Sequence, residues 1–301
     1  MHVRRPLPML ALVAATAFVA GYAVNRIKAS LFPWPTQVVF DRVSARTPIA
    51  CPSAGPRTFV VVIFGQSLGG NWAGERSVGL PGVTNAYKGR CYEAKDPLLG
   101  STGVAGNVWT EVANNLVRKG VVDNVVLVSV SRNDAPIAIW RPNGAGEKAM
   151  RQALVDLRPL TPSAFVVEQG QIDRIRNTPA DAYRADYLSA IQNARNLGGG
   201  APLFVSQEAG FCGEEGANEP VAPDNPISAA QRSLVDPAHG VYSGPAVDLL
   251  APASLRYDGC HPSGKGVQVL ARAWSELIAD HLAKQPGATN PHDPALASHH
   301  G

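Results

Sequence analysis

Four short runs of β-branched and aromatic residues punctuate this chain: Phe59–Phe64, Val125–Val130, Ala164–Val167 and Leu203–Ser206. None alternates apolar with polar, as a strand with one wet face would. Each is apolar almost throughout, the pattern of a strand buried on both faces. Helical patterns lie between them. Asn107–Lys119 sets Val108, Trp109, Val112 and Leu116 at helical spacing and stops at Gly120. Glu147–Leu157 is a second. A third follows Thr178-Pro179, read as a cap and a first-turn proline, and runs to Leu197 before three glycines. The last runs from Lys265 to Leu282, with Ser263 placed to cap it. Strands that alternate with helices in this way predict an α/β fold: a central parallel sheet, right-handed crossovers and helices on both faces.

Two stretches break the alternation. Residues 69–99 and 210–255 are rich in Gly, Pro and Asn and are expected to be functional or partly structured insertions. The ends read differently again. His2, Arg4 and Arg5 precede an apolar stretch from Leu7 to Val24, and Asn25-Arg26-Ile27-Lys28 follows it. Residues 1–28 are therefore read as a signal peptide or an uncleaved membrane anchor. Gly21 and Ala23 would suit a small-x-small cleavage site. Both readings imply export to the periplasm, cell envelope or medium; the second adds membrane attachment through residues 7–24. Residues 29–55 are expected to be a linker and approach segment, residues 56–284 the folded domain, and residues 285–301 a disordered tail.

Four cysteines suit an exported protein with two disulfides. Three pairings exist, and proximity in sequence favours Cys51–Cys91 and Cys212–Cys260. No CxxC or HxxxH spacing points to a metal site, and no cofactor is expected. The formal charge of +3 is small and the basic residues form no runs, which argues against a nucleic-acid partner.

The chemistry concentrates in two loops. Gly65-Gln66-Ser67 follows the first strand, and Tyr257-Asp258-Gly259-Cys260-His261-Pro262-Ser263 precedes the last helix. A serine hydroxyl becomes a nucleophile only when a base accepts its proton, and histidine titrates in the right range to do so. An aspartate three residues from that histidine can hold its tautomer and stabilise the imidazolium. The blander readings are a turn serine, a turn-capping aspartate and a loop histidine. Gly65-Gln66-Ser67-Leu68-Gly69 also satisfies G-x-S-x-G. Chain order excludes that fold's elbow, because Asp258 and His261 share a single loop.

The order of these blocks resembles the SGNH (GDSL-like) hydrolases, and more narrowly the carbohydrate-esterase branch of sialate O-acetylesterases and acetyl xylan esterases. Gly65-Gln66-Ser67 matches the first block. Ile137 and Trp140 are what remains of a Gly-Gly-Thr-Ser-x-Ile-x-x-Trp block, with Asn133-Asp134-Ala135-Pro136 in place of its glycines and hydroxyls. Gln169-Gly170-Gln171-Ile172-Asp173 matches Gln-Gly-Glu-x-Asp except at Gln171, and Asp258, His261 and Pro262 match D-x-x-H-P. The resemblance covers residues 57–283. It implies a flavodoxin-like three-layer α/β/α sandwich and a metal-independent serine esterase. The triad would be Ser67, His261 and Asp258. The oxyanion hole would combine the Ser67 N–H, a glycine N–H (Gly106, with Gly103 as fallback) and an amide (Gln169, with Gln171 as second choice). The implied substrate is an acylated, most simply acetylated, sugar or polysaccharide.

Gln66 and Trp72 are the expected substrate contacts, Trp72 as a stacking platform. Trp140 is expected in the core, Asp173 in a cap or a local pairing with Arg174 or Arg176, and His239 and His281 in no role. Two other functions use the same features: a glycan O-acetyltransferase with this triad, or a catalytically silent glycan-binding module.

Overall fold

A computed structural model describes residues 38–210, 212 and 225–285. The chain divides into two units, residues 1–38 and 39–301. The signal or anchor segment and the tail beyond residue 285 lie outside the described residues. Among those described, no helix is long and apolar enough to cross a membrane.

Eight strands form one sheet: β1 (Pro48–Ile49), β2 (Thr58–Gly65), β3 (Val83–Tyr87), β4 (Arg90–Glu93), β5 (Asn124–Ser129), β6 (Ala164–Glu168), β7 (Leu203–Gln207) and β8 (Val241–Ala246). Their spatial order is β1-β4-β3-β5-β2-β6-β7-β8. From β3 to β8 every neighbouring pair is parallel, while β1 and β4 run antiparallel at the edge. The run β5-β2-β6-β7-β8 has the 2-1-3-4-5 order of doubly wound folds. Such sheets open a crevice at the carboxyl ends of the strands where the winding reverses. Here that point lies between β2 and β6, where Gly65 pairs with Glu168.

The helices are α1 (Val108–Arg118), α2 (Ala145–Asp156), α3 (Gln171–Ile175), α4 (Ala180–Leu197), α5 (Pro226–Arg232), α6 (Val247–Leu250) and α7 (Gly264–Ala283). β2 shows why this is a three-layer α/β/α sandwich. Phe59, Val61 and Ile63 pack with Trp109 and Leu116 of α1 and with Leu270, Trp274 and Ile278 of α7. Val60, Val62 and Phe64 pack on the other side with Met150 of α2 and with Tyr183, Tyr187 and Ile191 of α4. Each such side chain contributes roughly 1.5–3 kcal/mol through burial, so neither face of β2 tolerates a polar residue.

The four predicted strands and four predicted helices are all present. Asn107 and Ser263 cap α1 and α7, accepting bonds from the Trp109 and Gly266 N–H groups. Thr178 does not cap α4: its hydroxyl donates to Asp173 Oδ1 at 3.0 Å, and Pro179 holds the N-cap position. The stretches without periodicity are not structureless. Residues 69–99 contain the hairpin β3–β4, closed by Lys88-Gly89, both at positive φ (49° and 73°), the twist a two-residue turn needs. The described part of 210–255 contains α5, β8 and α6. Residues 39–55 lie along the edge of the sheet. There β1 pairs with β4, Phe40 exchanges backbone bonds with Gly100 and Ser101, and Cys51 is bonded to Cys91.

Candidate active site

At the carboxyl end of β2, Gly65 has φ 125°, and a Cβ there would lie 2.1 Å from the Glu168 carbonyl oxygen. Only glycine lets the strand pass this close to β6 before turning. The Gln66 N–H donates to that carbonyl at 2.7 Å, and Ser67 opens a single 3-10 turn, Ser67–Gly69. The Ser67 N–H carries no bond among the described residues. Its hydroxyl faces the loop before α7. His261 Nε2 lies 2.9 Å from Ser67 Oγ, and His261 Nδ1 lies 2.7 Å from Asp258 Oδ2. Asp258 Oδ1 accepts the N–H groups of Cys260 (2.9 Å) and His261 (2.6 Å). Burial alone would raise the Asp258 carboxyl, but these bonds and the imidazole outweigh it and hold the group below the ordinary aspartate range.

The loop is fixed from several sides. Cys260 is bonded to Cys212, so both predicted disulfides form, as suits an oxidising, exported environment. The Arg256 side chain is fully buried. It donates from Nε to the Ala251 carbonyl (2.8 Å) and from Nη1 to the Cys260 carbonyl, and pairs with Asp248 through Nη2 (3.2 Å). Asp248 Oδ2 in turn accepts the N–H groups of Ala209 and Gly210 at 2.7 Å. One ion pair therefore braces both approaches to the Cys212–Cys260 bridge. The Trp72 ring stacks on His261 (centroids 5.6 Å, 25°), and the Tyr257 hydroxyl donates to the Trp72 carbonyl. Trp72, the expected stacking platform, therefore stands directly against the imidazole.

A cavity of about 50 Å³ opens at Ser67, lined among others by Gln66, Asn133, Ile172, Cys212 and His261. The expected oxyanion donors are placed otherwise. The Gly106 N–H already donates to the Ala73 carbonyl at 2.8 Å, so it cannot also serve a substrate. Gln169 is fully buried, and its amide donates to the Ala135 carbonyl (2.9 Å) and to Asp173 Oδ2 (2.8 Å). It braces the turn below the site and does not line the cavity. Gln171 does line it, and its amide reaches Asp248 Oδ1 at 3.4 Å. The fallback Gly103 has a backbone N–H with no bond among the described residues. Asn133 stands at the cavity wall, its backbone N–H donating to Thr102 Oγ1.

Asp173 accepts the Ile137 N–H (2.9 Å), the cap expected of it, and feels the Arg176 charge, while Arg174 donates to the Cys212 carbonyl. Trp140 is core, packed on Phe64. His239 does have an acidic neighbour: Asp236 Oδ2 lies 2.6 Å from its Nδ1, on the surface and remote from Ser67 in the fold.

One pair beneath the site has no sequence signature. Glu168, at the end of β6, and Glu208, just past β7, are both fully buried and near each other. Burial pushes Glu168 up to about 7; burial and then the Glu168 charge push Glu208 well above the ordinary range. Trp274 Nε1 donates to Glu168 Oε1 at 2.9 Å. Two apolar strands end here in carboxylates, but which faces those carboxylates share depends on strand order, which no local pattern reports.

No family model and no curated protein matches the chain. Among solved structures it is similar to a protein from Arabidopsis thaliana, at 15% identity over 76% of this chain and 100% of that one, with a TM-score of 0.60. It is also similar to a lipase/acylhydrolase from Enterococcus faecalis (14%, 74% and 96%, TM-score 0.49) and to a carbohydrate acetylesterase from Xanthomonas citri (17%, 75% and 56%, TM-score 0.49). At these identities the likeness is one of fold, and the chemistry rests on the residues. The three-layer fold, the serine after its first parallel strand and the aspartate and histidine in one late loop are those expected from the sequence blocks.

Proposed function

We propose that this chain is a serine esterase of the SGNH hydrolase superfamily that removes short acyl groups, acetyl in the first instance, from a carbohydrate. The observation that carries the reading is the unbroken relay Ser67 Oγ–His261 Nε2–Asp258 at 2.9 and 2.7 Å, opening into a cavity. His261 takes the Ser67 proton as Oγ attacks the ester carbonyl, then returns it to the departing sugar alcohol. Water, deprotonated by the same imidazole, attacks the acyl-serine and releases the acid. Charge on the substrate oxygen meets the Ser67 N–H, with the Gly103 N–H as second donor, both without a bond among the described residues. The small volume at Ser67 favours an acyl group of acetyl size. The carbohydrate half of the reading rests on the sequence resemblance.

The test is hydrolysis of p-nitrophenyl acetate, followed by acetate release from acetylated xylan and from O-acetylated sialic acid. Wild type should turn over the model ester, and Ser67→Ala should reduce the rate to background. Equal rates in the two proteins would sink the esterase reading. Acetyl transfer that strictly requires a sugar acceptor would replace it with a transferase.

A further inference from the structure

We propose that the chain carries a second ligand site, sharing no residue with the Ser67 cavity, that takes a small aliphatic carboxylate. The site is a cavity of about 230 Å³ between β3, β5 and α2. Its walls are largely apolar, with Ala86, Tyr87, Val128, Val130, Ala153 and Leu157 among them. Into this wall comes Arg132, on the chain leaving β5, whose backbone N–H donates to the Gly65 carbonyl at 3.0 Å.

The Arg132 side chain is mostly buried, and all of its bonds leave from Nη1. They reach the carbonyl oxygens of Gly100 (2.9 Å), Val130 (2.8 Å) and Ser131 (3.1 Å). Nε and Nη2 carry no hydrogen bond, and no carboxylate forms an ion pair with Arg132 among the described residues. Asp156 lines the cavity without pairing with it. Lys88, on the same wall, lies over the Tyr87 ring at 5.1 Å and adds a second positive charge.

A largely buried guanidinium without an ion-pair partner gives up hydration that no carboxylate replaces. The pair of donors it leaves open, Nε and Nη2, is the edge that binds a carboxylate through two parallel bonds. The rest of the cavity selects against a bare inorganic anion, whose remaining oxygens would meet apolar walls unpaired. A carboxylate with an aliphatic tail satisfies both ends. The volume lies below the ~300–1,000 Å³ of sites for drug-sized ligands, so the tail is short. This inference does not depend on the esterase reading.

The experiment is a ligand-observed NMR titration of the full chain with sodium hexanoate, with inorganic phosphate and hexylamine as controls. Saturable binding of hexanoate alone is expected, weakened at least tenfold by Arg132→Gln. Ala153→Phe fills the cavity, leaves the Arg132 bonds in place and should abolish binding. Thermal unfolding without ligand checks that each variant folds; if Arg132→Gln does not, Ala153→Phe carries the test. The proposal is overturned by no saturable hexanoate binding, or by binding that Ala153→Phe leaves unchanged, which would place it elsewhere. Phosphate binding as tightly as hexanoate would also overturn it, because the apolar walls would then select nothing.

Discussion

At Asp258 burial and hydrogen bonding oppose each other, and bonding wins. The carboxyl lies below the ordinary aspartate range because the His261 ring and two backbone N–H groups bind its charged form. Asp258→Asn keeps the shape and removes the charge that orients the imidazole. It should retain a residual rate, reduced by ~10³–10⁴-fold as for the aspartate of other triads, while His261→Ala should lose nearly all turnover. The steady-state rate of each variant on p-nitrophenyl acetate checks the order. Glu208 presents the opposite balance. Both buried glutamates titrate higher in the folded chain than in the unfolded one, where glutamate sits near ~4.3. Their contribution to stability is therefore full below that value. It declines as pH rises, through about 7 for Glu168 and further for Glu208. Glu208→Gln should melt higher than wild type at about pH 8 and lose that advantage near about pH 4, as linkage requires. A variant less stable than wild type at the higher pH would show that the pair is held charged.

Among the elements, the two disulfides separate stability from catalysis. Cys51–Cys91 fastens β1 to β4 at the sheet edge, and replacing both cysteines by serine should cost ~2–4 kcal/mol of stability with kcat unchanged. Cys212–Cys260 joins the catalytic loop to the chain beyond β7. The double serine variant there should lower kcat more than tenfold, since Cys260 sits between Asp258 and His261. Paired melting curves and rates decide the matter; equal kcat losses in both variants would contradict this division.

The elements that the sequence announced are those buried on both faces, such as β2 and β6, and those with clean caps, such as α1 at Asn107. β3 and β4 stayed illegible because Val-Thr-Asn-Ala-Tyr and Arg-Cys-Tyr-Glu mix polar and apolar at an edge. β8 carries Gly244 and Pro245. The hydrogen-bonded row Ser67–His261–Asp258 was legible because all three sit beside Gly and Pro turns. The N–H groups left open near Ser67 were not, since whether an N–H is available depends on what folds against it: Gly106 meets Ala73, and Gln169 meets Ala135.

At the scale of the whole molecule, strand order is what turns separated residues into a site. Ser67 and His261 lie 194 residues apart. They meet because the winding reverses between β2 and β6 and because α7 returns to the face of β2. The same order buries Glu168 beneath the serine and sets Asn133, from the end of β5, at the cavity wall. The central claim is that this convergence makes one serine nucleophilic. A fluorophosphonate reagent followed by intact-protein mass measurement and peptide mapping tests it most directly. The account predicts a single adduct, on Ser67, formed quickly in wild type and at least a hundredfold more slowly in His261→Ala. An adduct on another residue, or labelling of Ser67 at the wild-type rate without His261, would contradict it.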